Sequence, residues 1–358
     1  MLDDSSESPQ GRYAVSTDDE RSWDRYVRSH PGSSHCHLYG WRRVIEETYG
    51  HRTHYLAAIR EDKGRTIEGV LPLVQLRHPL TGNRLISMPY TDTGGIVADS
   101  PAVETCLLEE AVRIGKKFNA GSLELRQTVP LACLGVNRLH GSLTCTTRTH
   151  KVSLKMELEG GPEQLRSSFK SKLRSQIRKA EKNGLQTEVG GKSLLDEFYA
   201  VFARNMRDLG SPVHSRVLFE KVLEEFKDGV AIVIVRQGRK PLAGGFTLAY
   251  RDTVLNPWAS SLKESRHLAS NMLLYWTMLE YACKSHFRRF DFGRSSPGCG
   301  ACRFKQQWGA QASPLFWHDV SLNGQPPPAE KLTFNLWKYL PVPMATLLGP
   351  YLRKHIGL

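Results

Sequence analysis

The sequence has no long run of apolar residues. No window approaches the roughly twenty consecutive apolar residues that a bilayer-spanning helix needs, although 40% of the 358 residues are hydrophobic. The N-terminus, MLDDSSESPQGR, is acidic and polar, without the apolar core of an export signal. These absences predict a soluble cytoplasmic protein, and its length allows two ordinary domains.

Cysteine is scarce, and the cysteines do not have the spacing typical of disulfide-bonded domains. The seven cysteines are an odd number, scattered along the chain, which predicts reduced thiols. Cys299 and Cys302 form a single CxxC, whereas a structural zinc site needs a second pair or a matching histidine pair. The other candidate cluster, His35-Cys36-His37, is far away in the sequence. We therefore predict no metal site and interpret the CxxC as lining a tight turn.

Acidic residues are the less abundant charge. The chain has 36 Asp and Glu against 49 Lys and Arg, a net charge of +13. Residues 1–24 carry a net charge of −5, so the remaining chain carries +18. A body this basic predicts a polyanionic partner: nucleic acid, a nucleotide-linked substrate or an anionic membrane surface. Residues 1–20 are polar and poor in apolar side chains, which predicts disorder.

The patterns of strands and helices repeat in two halves. In the first half, strand-like runs at residues 55–59, 67–76 and 85–90 are followed by a helix at 104–118 and a last strand at 123–125. In the second half, two helices at 193–209 and 216–226 come first. The same order then follows: strands at 230–235, 242–250 and 253–259, a helix at 270–285 and a last strand at 289–292. Met88-Pro89-Tyr90 also matches Asn256-Pro257-Trp258 in position. The repeat predicts an internally duplicated α/β unit, each copy a meander, a crossover helix and a final strand.

The most basic predicted helix lies between the two halves. It begins near Pro162, which suits a first helical turn, and ends after Lys182 at Asn183-Gly184. An apolar stripe every four residues runs beside a stripe of cations, Arg166, Lys170, Lys172, Arg174, Arg178, Lys179 and Lys182, with Glu181 as the one acid after Glu163. Solvated helix faces usually mix charges in i,i+4 pairs. We interpret these cations as a polyanion-binding surface; the alternative is a solvated charged face.

The segment from Phe290 to Ala310 reads FDFGRSSPGCGACRFKQQWGA. It places an acid at a strand end, cations and aromatic rings beside glycines, which is typical of a loop that holds a charged substrate. The alternative is a strand followed by a surface loop. In that case Phe304 and Trp308 belong to the core, and Asp291 forms a strand-end salt bridge.

Several of these strings resemble FemAB-type aminoacyltransferases. They are the basic helix SFKSKLRSQIRKAEKNG, the strand FDFG, the closing Phe-Lys-x-x-Trp-Gly and an entry segment from Trp41 to His51. Together they are most similar to the FemAB-related proteins associated with exosortase/PEP-CTERM systems of Gram-negative bacteria. The resemblance covers roughly residues 20–320.

The resemblance implies an α/β (α+β) fold of two tandem GNAT-like (acyl-CoA N-acyltransferase) domains. They would span residues 21–150 and 151–325, with the basic helix at 162–182 opening the second and an amphipathic tail at 326–358. FemAB proteins move an amino acid from aminoacyl-tRNA onto an amine of a peptidoglycan precursor. The implied partners are therefore aminoacyl-tRNA as co-substrate and an envelope or exopolysaccharide precursor as acceptor, without a bound cofactor.

By this resemblance, Lys305 occupies the position of the family's active-site lysine and Phe304 that of its neighbour. When an amine attacks an acyl ester, an ammonium such as Lys305 can stabilise the charge on the carbonyl oxygen. Asp291 can orient the amine or act as a base, and Arg294 can hold a phosphate. We add four aromatic residues as predicted substrate contacts, Phe304, Trp308, Trp258 and Tyr90. No Ser/His/Asp or Cys/His arrangement predicts a covalent intermediate.

The donor stays open between aminoacyl-tRNA and acyl-CoA. Residues 263–271 hold no glycine, and Thr91–Gly95 does not match a glycine-rich pyrophosphate loop either, which disfavours acyl-CoA. The coiled-coil arm of many FemAB enzymes has no counterpart here, which leaves contacts with tRNA open. A further alternative is a non-catalytic RNA-binding module on a transferase fold. The tail from Lys331 mixes apolar and basic residues, so it either packs over the domain or rests on the inner face of the inner membrane.

Overall fold

The computed structural model describes residues 13–16, 19–61, 66–78, 82–134, 143–324 and 336–357. Strand β1 (Tyr13–Ser16) pairs antiparallel with β2 (Arg52–Arg60). This strand and the first helical residue, Glu20, correct the prediction that all of 1–20 is disordered. The other residues of 1–18 lie outside the described part of the chain.

The first unit contains a mixed sheet with helices beside it. After β1 and β2 its elements are β3 (Thr66–His78), β4 (Gly82–Ser87), β5 (Val97–Ala98), β6 (Ala120–Gln127) and β7 (Cys145–Arg148), with helices α1 (Glu20–Ser29), α2 (Trp41–Tyr49) and α3 (Pro101–Lys117). Short 3-10 turns lie at His35–His37 and Ala132–Leu134. Helix α2 ends at Tyr49, and Gly50, with a φ of 68°, forms its left-handed C-cap.

The second unit contains the other sheet. Its strands are β8 (Val152–Glu157), β9 (Gln186–Gly190), β10 (Val230–Gln237), β11 (Lys240–Tyr250), β12 (Thr253–Ser261), β13 (Arg289–Ser295) and β14 (Gln311–Pro314). Its helices are α4 (Gly161–Ser168), α5 (Ser171–Lys182), α6 (Leu195–Asp208), α7 (Arg216–Glu225), α8 (Ser270–Lys284) and α9 (Gly300–Gln306). The chain continues with β15 (Phe316–Ser321), a 3-10 turn at Trp337–Tyr339 and α10 (Val342–Arg353).

The two sheets repeat one topology, as the sequence predicts. Strands β2, β3 and β4 form an antiparallel meander, α3 crosses over, and β6 pairs parallel to β4. Strands β10, β11 and β12 form the second meander, α8 crosses over, and β13 pairs parallel to β12. The strand orders are β1-β2-β3-β4-β6-β15-β7, with β5 beside β3, and β14-β8-β13-β12-β11-β10-β9.

Two segments run from one sheet into the other. Strand β7 belongs to the first sheet and β8 to the second, while β14 belongs to the second and β15 to the first. The segments pair antiparallel with each other, β7 with β15 and β8 with β14. The predicted boundary at 150/151 falls in the short link between β7 and β8. The predicted extent of the second domain, 151–325, needs correction, because β15 completes the first sheet beside β6.

A hydrophobic core continues across the two units. Buried side chains of the first unit, including Trp23 and Tyr55, belong to the same cluster as Phe198, Phe219 and Phe246 of the second. A buried interface of this kind holds the units as one body. It therefore fixes the geometry of the cleft between them.

The basic segment is two helices, which corrects the prediction of one helix over 162–182. Between α4 and α5, Phe169 takes an extended conformation, with ψ at 146°. Its ring packs edge-on against Trp276 and Trp308, at centroid distances of 6.0 and 5.4 Å. Burying this ring between two tryptophans breaks the helix, while Leu173 and Ile177 continue the predicted apolar stripe as buried residues.

Candidate active site

The parallel strands β12 and β13 separate in the middle of the second sheet. They pair at Thr253 with Arg289, Val254 with Phe290 and Leu255 with Asp291. Beyond this point β12 contains Pro257, which has no N–H to donate. Strand β13 turns at Gly293, where φ is 70°, and its register with β8 shifts between Asp291 and Arg294. The unpaired strand ends leave a wedge-shaped opening.

A cavity of about 500 Å³ lies at this opening, between the two units. Residues 33–36 and 90–93 of the first unit form one side. The other side comes from residues 255–258 and 291–294 of the parted strands and from three side chains nearby, Ser153, Lys155 and Lys305. The cavity is therefore a shared site that neither unit would form alone.

Asp291 lies on the cavity wall at the last paired position of β13. Its side chain is only 15% exposed. The carboxylate accepts a hydrogen bond from the N–H of Gly293 at 2.8 Å and lies 3.7 Å from the Lys155 ammonium. Burial raises the pKa of Asp291, and the Lys155 charge and the Gly293 N–H oppose that rise. A buried carboxyl with a raised pKa at a cavity suits a general base.

Lys305 reaches the same wall from α9. Its ammonium donates to the carbonyl oxygens of Arg294 at 2.8 Å and Gly293 at 3.2 Å. Burial lowers the pKa of Lys305, and the nearby Asp92 and Asp291 carboxylates oppose that change. The lysine thus holds the turned end of β13 and brings a positive charge to the cavity.

Arg294 links the two units across the cavity wall. Its guanidinium donates to the Asp92 carboxylate at 2.7 Å, and its backbone N–H donates to the other oxygen of that carboxylate at 2.8 Å. The guanidinium also lies 5.4 Å from the ring centre of Trp317. These contacts engage the arginine with the first unit, so the structure shows a cross-link where the sequence suggests a phosphate ligand.

Tyr90 and Trp258, at matching places in the two repeats, both line the cavity. Tyr90 has a positive φ of 69°, and its hydroxyl donates to the Lys354 carbonyl oxygen at 2.7 Å. Trp258 packs edge-on against Phe219 with ring centres 5.0 Å apart. Each presents part of a largely buried ring to the cavity.

Phe304 and Trp308 lie in the core of the second unit and do not line the cavity, which corrects their predicted contact with substrate. Trp308 is 1% exposed. The Phe304 ring lies 4.9 Å from that of Tyr275 and 6.3 Å from that of Trp308. Their place in the motif is explained by packing: they hold α9, and with it Lys305, against α8.

The cations predicted to bind a polyanion divide into two groups. Arg166 donates to Glu181 at 2.9 Å and covers the Trp276 ring, so it has partners within the protein. Arg174 is half-buried. The others are exposed on or beside α5: Lys170, Lys172, Arg178, Lys179 and Lys182. This second group forms an exposed cationic surface.

Sequence reasoning missed several residues of the site. Asp92 lies in the Thr91–Gly95 segment, whose paired glycines mark a tight loop, but the carboxylate itself gives no sequence signal. Lys155 lies on β8, whose alternation of Val152, Leu154 and Met156 with polar residues could have predicted the strand. Asn256 is buried, and its amide donates to the carbonyl oxygens of Phe246 and Trp258 where β12 bulges. That Asn-Pro pair could have signalled the bulge.

Cys299 and Cys302 lie at the start of α9. The Cys302 N–H donates to the Cys299 sulfur at 3.3 Å, so the first cysteine caps the helix. Within the described ranges, no three His, Cys, Asp or Glu side chains come together as metal ligands.

Comparison with known proteins identifies the fold of the two units. Residues 167–306 match the family model "Acetyltransferase (GNAT) domain". A tandem GNAT protein from the clavulanic acid biosynthesis pathway superposes with a TM-score of 0.54 at 10% identity, covering 88% of this chain and 99% of that one. The protein has two GNAT-like domains in tandem. The α/β fold predicted from the sequence is thus confirmed.

Two further structures share the tandem GNAT fold. FemX superposes with a TM-score of 0.67 at 16% identity, over 85% of this chain and 96% of its own. L-PGS from Bacillus licheniformis superposes with a TM-score of 0.54 at 12% identity, over 95% and 98%. A search of curated proteins finds no match. At these identities the likeness shows the fold of the GNAT domains alone.

Proposed function

We propose that this protein is an N-acyltransferase of FemAB type, which moves an aminoacyl group onto an amine of a cell-envelope or exopolysaccharide precursor. The observation that carries the proposal is the separation of β12 and β13 at Leu255 and Asp291, which opens into the cavity between the two GNAT-like domains. The site presents a carboxylate with a raised pKa and a buried ammonium to the same space.

The chemistry needs a base and a positive charge. The Asp291 carboxylate accepts a proton from the acceptor ammonium, and the free amine attacks the acyl carbonyl carbon. A C–N bond forms, and the bond from the carbonyl carbon to the donor oxygen breaks. The Lys305 ammonium stabilises the negative charge that develops on the carbonyl oxygen. The attacking nitrogen gives up a second proton as the amide forms, and the departing ribose oxygen takes up one proton, so the products are an amide and the free hydroxyl of the tRNA.

Aminoacyl-tRNA is the donor we favour, for two reasons. The exposed cationic surface on α5 offers several positive charges to a nucleic-acid backbone. The turn between β12 and α8 is a 3-10 helix, Lys263–Leu268, followed by Ala269 in the left-handed conformation. It contains no glycine, so it offers no open cradle for the pyrophosphate of coenzyme A.

Acyl-CoA is the second candidate donor. The match of residues 167–306 to the acetyltransferase family model favours it. The two donors predict different leaving groups at the same cavity: a ribose hydroxyl for the ester and a thiol for the thioester.

A transfer assay distinguishes these donors. The purified chain is incubated with labelled aminoacyl-tRNA or acyl-CoA and a fraction of lipid- and nucleotide-linked envelope precursors. Movement of label from a base-labile ester into a base-stable amide is the expected result. Transfer from acyl-CoA alone would replace the donor, and tight tRNA binding without any transfer would favour a non-catalytic RNA-binding module. Asp291→Asn should lower the transfer about a hundredfold or more, and the surface variant Asp196→Asn should not.

A further inference from the structure

Helix α10 contacts the rest of the protein through its smallest residues. Ala345 and Gly349, one turn apart, are its buried positions. A Cβ on Gly349 would lie 2.8 Å from Val213 Cγ1 and 2.9 Å from the Val213 nitrogen, so glycine is needed for this close approach. The inward face of the helix is thus formed by small residues that pack closely against the protein.

The large apolar residues of α10 are exposed. Leu347 is 68% exposed and Tyr351 is 65% exposed. The preceding turn adds Tyr339, at 74%. We call the whole set the C-terminal apolar face: Leu336, Tyr339, Met344, Leu347, Leu348, Tyr351 and Leu352. An amphipathic helix of a globular protein normally buries such residues; here the pattern is reversed.

The charged side chains of the C-terminal segment itself have one sign. Residues 336–357 contain Lys338, Arg353 and Lys354, together with His355, and neither aspartate nor glutamate. A second copy of the same face would bring these like charges together across a two-fold axis. Negatively charged lipid head groups would complement Lys338 and Lys354, while leucine side chains enter the acyl region and tyrosine rings lie at the interface.

We propose that the C-terminal apolar face docks on an anionic lipid bilayer, with α10 lying in the plane of the interface. None of the described helices is long and apolar enough to cross a membrane. The surface therefore suits peripheral and reversible attachment, in which apolar burial and attraction to charged lipids act together.

The docking segment is joined directly to the cavity wall. Arg353, the last residue of α10, lines the cavity and donates to His214 Nε2 at 3.1 Å. The Tyr90 N–H donates to the Gly357 carbonyl oxygen at 2.9 Å, and Arg126 donates to that same oxygen at 2.9 Å. Attachment through α10 would therefore hold the cavity at a fixed position relative to the bilayer, whichever donor it uses. The inference does not depend on the proposed acyl transfer.

Vesicle flotation with the full chain tests this proposal. We expect the protein to float with vesicles of phosphatidylglycerol and phosphatidylcholine and only weakly with phosphatidylcholine alone. The double variant Leu347→Asp/Tyr351→Asp should lower the partition coefficient tenfold or more, because it removes two of the most exposed apolar contacts. Both substitutions lie on the exposed face, and circular dichroism checks that the variant is folded.

A matched control variant introduces the same two negative charges outside the C-terminal apolar face. Val129→Asp/Val189→Asp replaces two exposed apolar residues outside the C-terminal segment and should float like the parent protein. Equal flotation of the Leu347/Tyr351 variant and the parent would overturn the proposal. Failure of the parent protein to float with anionic vesicles would also overturn it. If, in that case, ultracentrifugation shows a dimer that the Leu347/Tyr351 variant loses, the face is an interface between two copies of the chain.

Discussion

The Asp92 carboxylate accepts hydrogen bonds from both the guanidinium and the backbone N–H of Arg294, at 2.7 and 2.8 Å. Asp92 belongs to the loop after β4 of the first unit, and Arg294 belongs to the parted end of β13 of the second. One carboxylate thus fixes a side chain and a main-chain turn of the opposite unit. The lip of the cavity depends on a contact that neither domain makes within itself.

Asp92→Ala should reduce both stability and transfer. The variant loses two hydrogen bonds, one of them from a charged group, which is worth about 2 kcal/mol of unfolding free energy. Urea titration measures this, and Asp196→Ala, which removes an exposed pair with Arg216, should cost less than about 1 kcal/mol. If the two variants lose the same free energy, the link across the cavity contributes no special stability.

Asp291→Asn should remove the acid limb of the pH–rate profile. As a base, Asp291 must be ionised, so kcat/KM should fall with pH through a pKa that burial has raised above the ordinary 3.8. The amide cannot accept the proton, and turnover should fall about a hundredfold or more. A variant that keeps the turnover and the acid limb of the parent would remove Asp291 from the mechanism.

The same substitution should stabilise the fold at neutral pH. A carboxyl whose pKa is higher in the folded than in the unfolded state favours folding most when protonated, and that contribution is lost as pH rises through the folded-state pKa. Asparagine avoids the cost of burying the charge and still accepts the Gly293 N–H. Denaturation at several pH values should show an advantage over the parent that shrinks towards pH 4.

Lys305→Met should leave the fold intact and lower turnover about a hundredfold or more. The methionine keeps the length of the buried side chain but removes the ammonium. Lys284→Met, on the exposed end of α8, is the matched control and should be fully active. If Lys305→Met changes KM and not kcat, the lysine positions the turned end of β13 and does not stabilise the oxyanion.

Buried neutral histidines should make the protein acid-sensitive. Burial lowers the pKa of His35 to about 3 and those of His37 and His51 to about 4. His37 Nδ1 accepts the Ser34 N–H while Nε2 donates to the Gly95 carbonyl, so a second proton has no place. The unfolded chain binds these protons below pH 6.5, and the unfolding free energy should fall from there towards pH 4, by up to about 1.4 kcal/mol per pH unit for each histidine.

Urea titrations between pH 7 and 5 measure this slope. His37→Gln should flatten it, because an amide can keep both hydrogen bonds without taking up a proton. His286→Gln, at an exposed position, should leave the slope unchanged. Equal slopes for His37→Gln and the parent would show that His37 does not contribute.

Binding of tRNA should depend steeply on salt. If the five exposed cations of the α5 surface meet phosphates, log K against log salt should have a slope of about −4 to −5. Lys172→Gln/Lys179→Gln should reduce its magnitude by about 2, whereas Lys192→Gln/Lys284→Gln should leave it unchanged. A salt-independent affinity of the parent would exclude this surface as the polyanion site.

The sequence predicts the repeated meander, crossover helix and final strand of each unit because these elements are long and strongly patterned. Strands β7 and β9 escape prediction because they are short and their side chains are largely exposed, so no apolar alternation marks them. The break between the two helices at Phe169 is also not predicted, but here the apolar pattern is strong and misleading. Its spacing fits a helix, and only Trp276 and Trp308, far along the chain, reveal why the helix stops there.

The candidate site is predicted in part. Asp291, Lys305, Tyr90 and Trp258 do meet at one cavity. The motif that contains Lys305 also contains Phe304 and Trp308, and their spacing alone cannot separate packing residues from cavity residues. Asp92 remained hidden because its role depends on a partner in the other unit, and such pairs leave no local pattern.

The exchange of strands between the two sheets bears on how the chain folds during synthesis. Strand β6 gains its neighbour β15 only when residues 316–321 have left the ribosome, after all the strands of the second sheet. Until then the nascent first sheet exposes an open edge, the kind of surface that recruits other unfolded chains. We therefore expect truncated or slowly translated forms to need chaperones, and expression of residues 1–150 alone to yield aggregates.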